Sequence, residues 1–309
     1  MGKVTKILLR ALSAIALLLI IFPLAVALLL AFPSVQNRAM DRAALFASEF
    51  LGTEVSVGQV TIGMLNRVSV RDFYVADLDG DTLLYVKRAN ATIGPLASLA
   101  KKNLVINKGV VEGGKFVVRE TERGTVAVKE ITDKIVERRG TKSDFRLDIR
   151  SLEGSDIVFS LLRNDEHTDE GIDFADMHLL GISTHIDNFV VDNEAVWGDI
   201  ARLSFVERSG FDLKDFVGSF YVYEGIVKVD NASFCTEQST VNVDSLLLDG
   251  KDWLEYHDFI NNVPIICSIS NSKITSNDVG YFAPELWGWR TSLQGRHRHR
   301  RYHHRCFGC

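Results

Sequence analysis

The sequence predicts a mainly β protein, with an N-terminal transmembrane helix followed by an elongated antiparallel sheet. Three observations predict this fold class. The run of 22 residues from Ala11 to Phe32 contains no charged side chain, which is the length and composition of a membrane span. After Thr53, short segments alternate apolar and polar residues with a period of two, as strands do. Turn sequences that contain glycine separate these segments, and helical periodicity is scarce there.

Residues 1–33 are expected to form a cytoplasmic stub and a transmembrane anchor. As a helix, the uncharged run reaches ~33 Å, enough to cross a hydrocarbon core of ~30 Å. Lys3, Lys6 and Arg10 precede the run, so the positive-inside rule places the N-terminus in the cytoplasm and the rest of the chain across the membrane. A cleaved signal peptide is the alternative, because Ala25 to Ala27 resembles a cleavage site. The apolar residues that continue beyond it favour an uncleaved anchor.

Residues 34–52 are expected to form an amphipathic linker helix between the anchor and the β body. Ser34 is suited to the N-cap, and Gly52 to the position just after the last helical residue. Apolar residues between them recur at helical spacing on one face. The helix therefore joins the membrane to the sheet.

Residues 53–294 are expected to form the β body. Val55 and Val57 alternate with polar neighbours, and the pattern resumes out of phase at Val60, so a bulge or tight turn is expected at Gly58. Strands of this kind bury one face and leave the other in water. The apolar positions that we expect on one face of their strands are Val68, Val70, Phe116, Val118, Phe145, Leu147, Ile149, Val227, Val229, Val241 and Val243.

Pairs that contain glycine are expected to divide the body into a long antiparallel meander. The polar linker of residues 137–144 is a candidate division between two β subregions, and it follows the best helix candidate, Val126 to Val136. The expected turn pairs are Asp79-Gly80, Lys108-Gly109, Gly113-Gly114, Glu153-Gly154, Glu224-Gly225 and Asp249-Gly250.

Residues 295–309 form an atypical basic tail. The tail contains five arginines, four histidines, two cysteines and no acidic residue. A metal site or a phosphate-binding segment is one interpretation. The abrupt change of polarity and period just after a β-like segment instead favours out-of-frame or added sequence, which we expect to lack regular structure and to be dispensable.

The charge distribution argues against nucleic acid as a partner. The chain carries a formal charge of −5, and the five tail arginines leave −10 for residues 1–294. An acidic body repels a phosphate backbone.

Cys235 and Cys267 lie in strand-like segments. They are either paired or, as is more usual for lone cysteines, buried separately.

Before the tail, no residue pattern points to a metal, a cofactor or catalysis. The stretch from Asp77 to Asp81 resembles part of a calcium loop, but its glycine is misplaced and no glutamate follows at the twelfth position, so a hairpin turn is expected. The acidic stretch around His167 is expected to be a solvated loop. His178 and His185 are seven residues apart, which in a regular strand puts them on opposite faces, unlike ligands of one ion. We therefore do not expect an enzyme.

Several segments resemble the AsmA-like proteins of the TamB (translocation and assembly module) branch, in its Bacteroidetes form. The longest is LGTEVSVGQVTIGMLNRVSVRDFYVADLDGDTLLYVKRANATIG, which begins at Leu51 after the membrane run and the short helix. Later segments are LSFVERSGFDL at Leu203 to Leu213, STVNVDSLLLDG at Ser239 to Gly250 and DVGYFAPEL at Asp278 to Leu286. The resemblance spans Lys3 to Trp289, carries no catalytic signature and stops at the tail.

The resemblance implies a single-pass protein of the inner membrane, anchored through residues 11–32, with its N-terminus in the cytoplasm and its body in the periplasm. The body would be a taco-like β-groove, and the eleven apolar positions above become lipid-groove candidates. The implied function is outer-membrane biogenesis, as a fragment of a bridge along which phospholipid moves. Family members are much longer, and an outer-membrane Omp85-type barrel is implied as a partner of the missing C-terminal part. The alternative is a scaffold or chaperone for the assembly and secretion of β-barrel proteins with that partner.

Overall fold

A computed structural model describes most of the chain after Gly52. The described residues form one sheet of 13 strands, so the chain is mainly β, as predicted. They are residues 48, 52–63, 66–95, 98, 102–121, 127, 146–164, 167–192, 195–223, 225–250, 263–287, 292–295 and 298–302.

The long strands follow one another in the sheet in the order in which they occur in the chain. Short connections between successive strands favour such a meander. The first six are β1 (Val55–Gly63), β2 (Arg67–Ala76), β3 (Thr82–Ile93), β4 (Asn103–Arg119), β5 (Arg146–Leu162) and β6 (Asp176–Asp192). The next five are β7 (Ala195–Glu207), β8 (Asp212–Tyr223), β9 (Ile226–Cys235), β10 (Thr240–Asp249) and β11 (Ile265–Thr275). Two short strands, β12 (Ser292–Gly295) and β13 (Arg298–Tyr302), both pair with β11.

The sheet is open. Within the described ranges, β1 pairs with β2 alone, and β11 pairs with β10 and the two short strands. Within these ranges, the two edges of the sheet therefore do not hydrogen-bond to each other through their backbones.

One pair of neighbouring strands departs from the predicted antiparallel order. β4 and β5 are parallel, with Leu104 beside Leu147, so the prediction of an uninterrupted antiparallel meander is wrong at this point. A parallel pair needs a long crossover connection, and residues 120–145 provide it. Ala127 in this connection is helical and buried.

A line of irregular residues crosses strands β1 to β5 at one level. The flanking pairs place Gly58 opposite Asp72, and Gly113 opposite Asp156. Asp72, Gly113 and Asp156 have φ angles of 50°, 67° and 53°. Such residues let a strand change the face to which its alternate side chains point. β1 thus continues through Gly58 as a strand, and the predicted change of phase there occurs without a turn.

Three of the predicted turns lie inside strands and are therefore wrong. Lys108-Gly109 and Gly113-Gly114 belong to β4, and Glu153-Gly154 belongs to β5. These glycines permit bulges and close packing instead of turns: a Cβ on Gly154 would lie 2.9 Å from Cδ1 of Ile157. The other three glycines, Gly80, Gly225 and Gly250, do lie between strands.

One face of the sheet is mainly apolar, and the other carries charged side chains together with exposed apolar ones such as Leu180, Val206 and Ile266. The buried core consists of side chains from β1 to β8 and from the loops beside them. The opposite face carries ion pairs, such as Arg88 with Glu112 at 2.9 Å and Lys108 with Glu153 at 2.7 Å. This division of the faces is what the alternation of residues predicts.

The N-terminal predictions fall mostly outside the described residues. Residues 1–33 and 137–144 lie outside them, and no helix within them has the length and apolar composition needed to cross a membrane. In the segment predicted as the linker helix, Ser48 is helical. Gly52 has a φ of 71°, and its N–H donates a 2.8 Å hydrogen bond to the Ser48 carbonyl. This geometry is typical of a glycine that ends a helix.

Part of the basic tail is regular. Residues 298–302 form β13, which pairs with Ile265 to Ile269 of β11. The prediction of a tail without regular structure is therefore wrong for this stretch. An edge strand offers open backbone groups to any extended segment that reaches it. Residues 303–309 lie outside the described part of the chain.

Residues 276–287, the cap segment, cross one end of the sheet. The segment contains α1 (Ser276–Gly280) and a 3₁₀ turn (Pro284–Leu286). The Thr236 hydroxyl donates a 2.6 Å hydrogen bond to Asp278, and the ring of Tyr281 meets Phe211 edge to face at 5.6 Å. The Ile172 N–H donates a 2.7 Å hydrogen bond to the Tyr281 carbonyl. The cap segment thus contacts all three loops that follow β5, β7 and β9, at what we call the capped end.

Candidate functional site

A continuous row of apolar side chains crosses eight strands on the apolar face of the sheet, which we call the inner face. Each member is the cross-strand partner of the next, from β4 to β11. The first five members are buried and the last three are partly exposed. In order, the row is Leu104, Leu147, Val191, Val196, Val222, Val227, Leu248 and Ile265. The row is therefore dry from β4 to β8, and water reaches it from β9 to β11.

The predicted groove positions divide in the same way. Phe145 lies outside the described residues. Three positions, Val227, Val229 and Val243, are partly exposed. Seven are buried, namely Val68, Val70, Phe116, Val118, Leu147, Ile149 and Val241. All three accessible positions belong to β9 and β10, whereas neighbouring apolar side chains cover most of the buried ones.

Sequence reasoning missed part of the accessible surface. Ile269 of β11 is the partner of Val243 and is 36% exposed, and Leu246 lies beside Cys267. The segment around Leu246 reads as three successive leucines and hides its alternation. The register shifts between Val243 and Ser245, so counting by twos fails there.

A row of polar side chains crosses the opposite face, which we call the outer face, and runs parallel to the apolar row. Its members face one another across seven strands, and all carry hydrogen-bonding side chains: Ser151, Asp187, Asp199, Ser219, Asp230, Ser245 and Ser268. Hydrogen bonds from Asn188 and Ser219 hold the pKa of Asp199 below its usual value. This row thus remains in water, on a face that also exposes apolar side chains such as Leu180, Val206 and Ile266.

Two Ser–His–Asp arrays on the outer face were not recognised in the sequence. In the first array, Nδ1 of His178 lies 2.9 Å from the Ser160 hydroxyl oxygen, and Nε2 lies 2.8 Å from a carboxylate oxygen of Asp176. Ser160 is buried, so a substrate has no access to its hydroxyl. In the second array, Nε2 of His185 contacts both Ser151 and Asp187. One ring nitrogen cannot accept a proton from serine while donating one to aspartate, so the second array lacks the geometry of a nucleophile with its base.

His178 and His185 share the outer face, which corrects the prediction that they lie on opposite faces. His178 is paired with Ser160, and His185 with Glu153. The φ of Gly181 between them is 60°, and the register with β5 shifts there. This irregularity changes the phase of the strand.

The turn from Asp77 to Asp81 is the expected hairpin turn between β2 and β3. One carboxylate oxygen of Asp77 accepts hydrogen bonds from the N–H groups of Asp79 and Asp81, at 3.0 and 2.8 Å. The carboxylate therefore stabilises the turn. Among the described residues, no group of three or more potential ligands is arranged to hold a metal ion.

Cys235 and Cys267 are both free thiols. They lie in β9 and β11, with β10 between them. Burial, with a smaller contribution from Asp244, raises the pKa of the Cys267 thiol. These two cysteines are thus separate half-buried residues of the sheet.

An open depression of about 490 Å³ lies over β7 to β9. Trp197 and Tyr221 line it, with ring centroids 6.3 Å apart. The Arg146 guanidinium lies 5.4 Å from the Trp197 ring centroid, a cation–π contact. The aromatic and acidic groups of this depression already interact within the sheet.

A comparison with protein-family models and with curated proteins finds no match to this chain.

Proposed function

We propose that this chain is a lipid-transfer module: a β-groove whose apolar face holds the acyl chains of phospholipid while the headgroups stay in water. We place it in the inner membrane, anchored through residues 11–32, with its body in the periplasm, as a fragment of a bridge used in outer-membrane biogenesis. Such transfer requires no catalytic residue and no cofactor.

The observation that carries the proposal is the apolar row of eight strands with its change of exposure. From Leu104 to Val222 the side chains fill a dry core, and from Val227 to Ile265 they remain partly exposed on an open sheet. An exposed apolar strip next to a packed one is costly in water unless something apolar covers it. An acyl chain has the required shape and chemistry.

The energetics favour passage along such a strip. Burial of an acyl chain contributes ~0.8 kcal/mol per CH₂. Val227, Leu248 and Ile265 are of similar size and offer nearly the same contact at β9, β10 and β11, so no deep trap arises along the exposed part of the row. The lipid headgroup meets water at the open side instead of a buried polar site.

The proposal is tested by measuring the phospholipid bound to the purified full-length chain by native mass spectrometry. Val229→Arg places a charge on the accessible apolar face, and we expect it to remove bound phospholipid. Tyr221→Arg is the matched control, because Tyr221 projects from the outer face of β8, the neighbouring strand. Lipid that merely surrounds the anchor is equal in the two variants. Equal lipid content in both variants would contradict the proposal.

A second candidate function is a scaffold that receives unfolded β-barrel strands by strand addition. The observation that favours it is β1, an edge strand of nine residues without a charged side chain, on whose outer side no described strand pairs. Uncharged edges of this kind accept additional strands readily. A crosslinker at Gln59 would then capture unfolded barrel precursors, and Thr61→Pro in the same strand would abolish the capture. That result would favour the scaffold over lipid transfer.

A further inference from the structure

We infer that the capped end of the sheet lies on the surface of a lipid bilayer, with Phe282 and Trp287 inserted into its interfacial region. The inference rests on one element of the proposed function, the membrane anchor in residues 11–32. It adds a contact surface that is separate from the groove.

The topology puts the start of β1 at the capped end. Val55 is the partner of Val75 near the end of β2, and Leu84 near the start of β3 is the partner of Phe116 near the end of β4. β4 and β5 run parallel and finish together. The start of β1 and the end of β5 therefore lie at the same edge of the sheet.

The chain before β1 is fixed to this end. The Val55 N–H donates a 2.9 Å hydrogen bond to the hydroxyl of Ser48, and Gly52 ends the helical turn that contains Ser48. Only 15 residues separate Phe32, the last residue of the uncharged run, from Ser48. An anchor in residues 11–32 would hold the capped end towards the membrane and keep the other end away from it.

The cap segment presents two large aromatic side chains to the outside at this end. Phe282 is 54% exposed and Trp287 is 42% exposed. Both are held in place: the Phe282 ring meets buried Phe211 edge to face at 5.2 Å, and the Trp287 indole N–H donates a 3.3 Å hydrogen bond to the Asn277 carbonyl. Aromatic rings held at a surface and partly wet are typical of the membrane–water interface.

The charges at the capped end determine how it would meet the bilayer. Asp77, Asp79 and Asp81 form one turn at this end, and Asp169 and Glu170 lie in the loop after β5. Acidic turns do not attract anionic lipids, and the nearby cations Arg119 and Arg208 are paired with Asp81 and Asp176, so contact comes from aromatic insertion. The contact is then insensitive to salt and needs no anionic lipid. Weak insertion suffices, because the anchor keeps the surface at high effective concentration.

The test uses the full-length chain reconstituted into phosphatidylcholine vesicles and into vesicles that also contain phosphatidylglycerol. A photoreactive p-benzoylphenylalanine replaces Phe282, Trp287 or, as the control, Tyr221. Tyr221 is an aromatic residue of matched exposure, 41%, at the opposite end of β8. We expect phospholipid adducts at positions 282 and 287 in both vesicles and at high salt, and none at position 221.

Three outcomes would overturn the inference. They are the absence of adducts at 282 and 287 in a folded, membrane-bound chain, equal labelling at 221, and labelling that requires anionic lipid. Adducts from a probe at Val229 report on the groove separately. Lipid captured at 229 but not at 282 or 287 removes the docking surface and leaves the groove, whereas the reverse removes the groove. A chain that stays out of the membrane removes the anchor and the docking surface together.

Discussion

The backbone N–H of Ile172 donates a 2.7 Å hydrogen bond to the carbonyl oxygen of Tyr281. This bond joins the loop after β5, in the middle of the sheet, to the segment that follows β11, its last long strand. The neighbouring Gly171 has a φ of 71°, and a Cβ there would lie 2.5 Å from the same carbonyl oxygen. At this contact the two backbones are therefore too close to leave space for a side chain on residue 171.

Gly171→Ala is expected to destabilise the protein by about 2–4 kcal/mol, because backbone strain and a steric clash add together. The control is Gly80→Ala. Gly80 also has a positive φ, 88°, but nothing lies within 4 Å of its Cβ position. We expect this control to lose only about 1–2 kcal/mol, the cost of the left-handed backbone alone. Urea unfolding of the two variants measures the difference, and equal losses would show that the Tyr281 contact is loose.

Leu147→Asp and Val229→Asp are expected to differ in folding. Leu147 has no exposed surface, so an unpaired carboxylate there costs about 4 kcal/mol or more. Val229 is partly exposed, so water reaches the new carboxylate, and we expect a loss of about 1 kcal/mol. Circular dichroism on urea titration compares them. A variant at Val229 that unfolds like the one at Leu147 would indicate a closed, dry core up to β9.

Arg208→Gln is expected to destabilise the protein at pH 7 and to have a smaller effect at pH 2. A hydrogen bond from Arg208, then one from His178, holds the pKa of Asp176 below its usual value. A lowered folded-state pKa contributes stability above the pKa of the unfolded carboxyl, ~3.9, and this stability is lost as the pH falls through the folded value. Because Arg208 is half exposed, we expect a loss of at most about 1 kcal/mol at pH 7.

The control for this prediction is Arg202→Gln, at an exposed position of β7. Its effect on the free energy of unfolding should be small at both pH values. A loss at Arg208 that persists undiminished at pH 2 would mean that Asp176 is not its relevant partner.

Much of the sheet follows from local pattern. The alternation at Val68 and Val70, the hairpin turn from Asp77 and the helix end at Gly52 each depend on neighbouring residues, and the sequence contains these. The parallel β4–β5 pair depends on where a connection of 26 residues leads, which periodicity does not encode. The glycines of β4 and β5 carry the same signal for a turn and for a bulge, so only their partners across the sheet distinguish the two.

The candidate site was predictable in composition but not in exposure. Leu147 and Val229 have the same alternating surroundings in the sequence, yet one is fully buried and the other partly exposed. The difference arises from position in the sheet: Leu147 lies in the middle and is covered by side chains of several strands, whereas Val229 lies near an edge. Position in the sheet therefore decides which apolar residues remain accessible.

The most direct test of the groove is photo-crosslinking at two consecutive residues of β9 in cells. Val229 lies on the inner face, beside Phe220 and Leu246, and Lys228 lies on the outer face, beside Tyr221 and Leu247. With p-benzoylphenylalanine at each position, the account predicts phospholipid adducts at 229 and none at 228. Adducts at both positions, or a folded protein with none at 229, would contradict a lipid-binding groove.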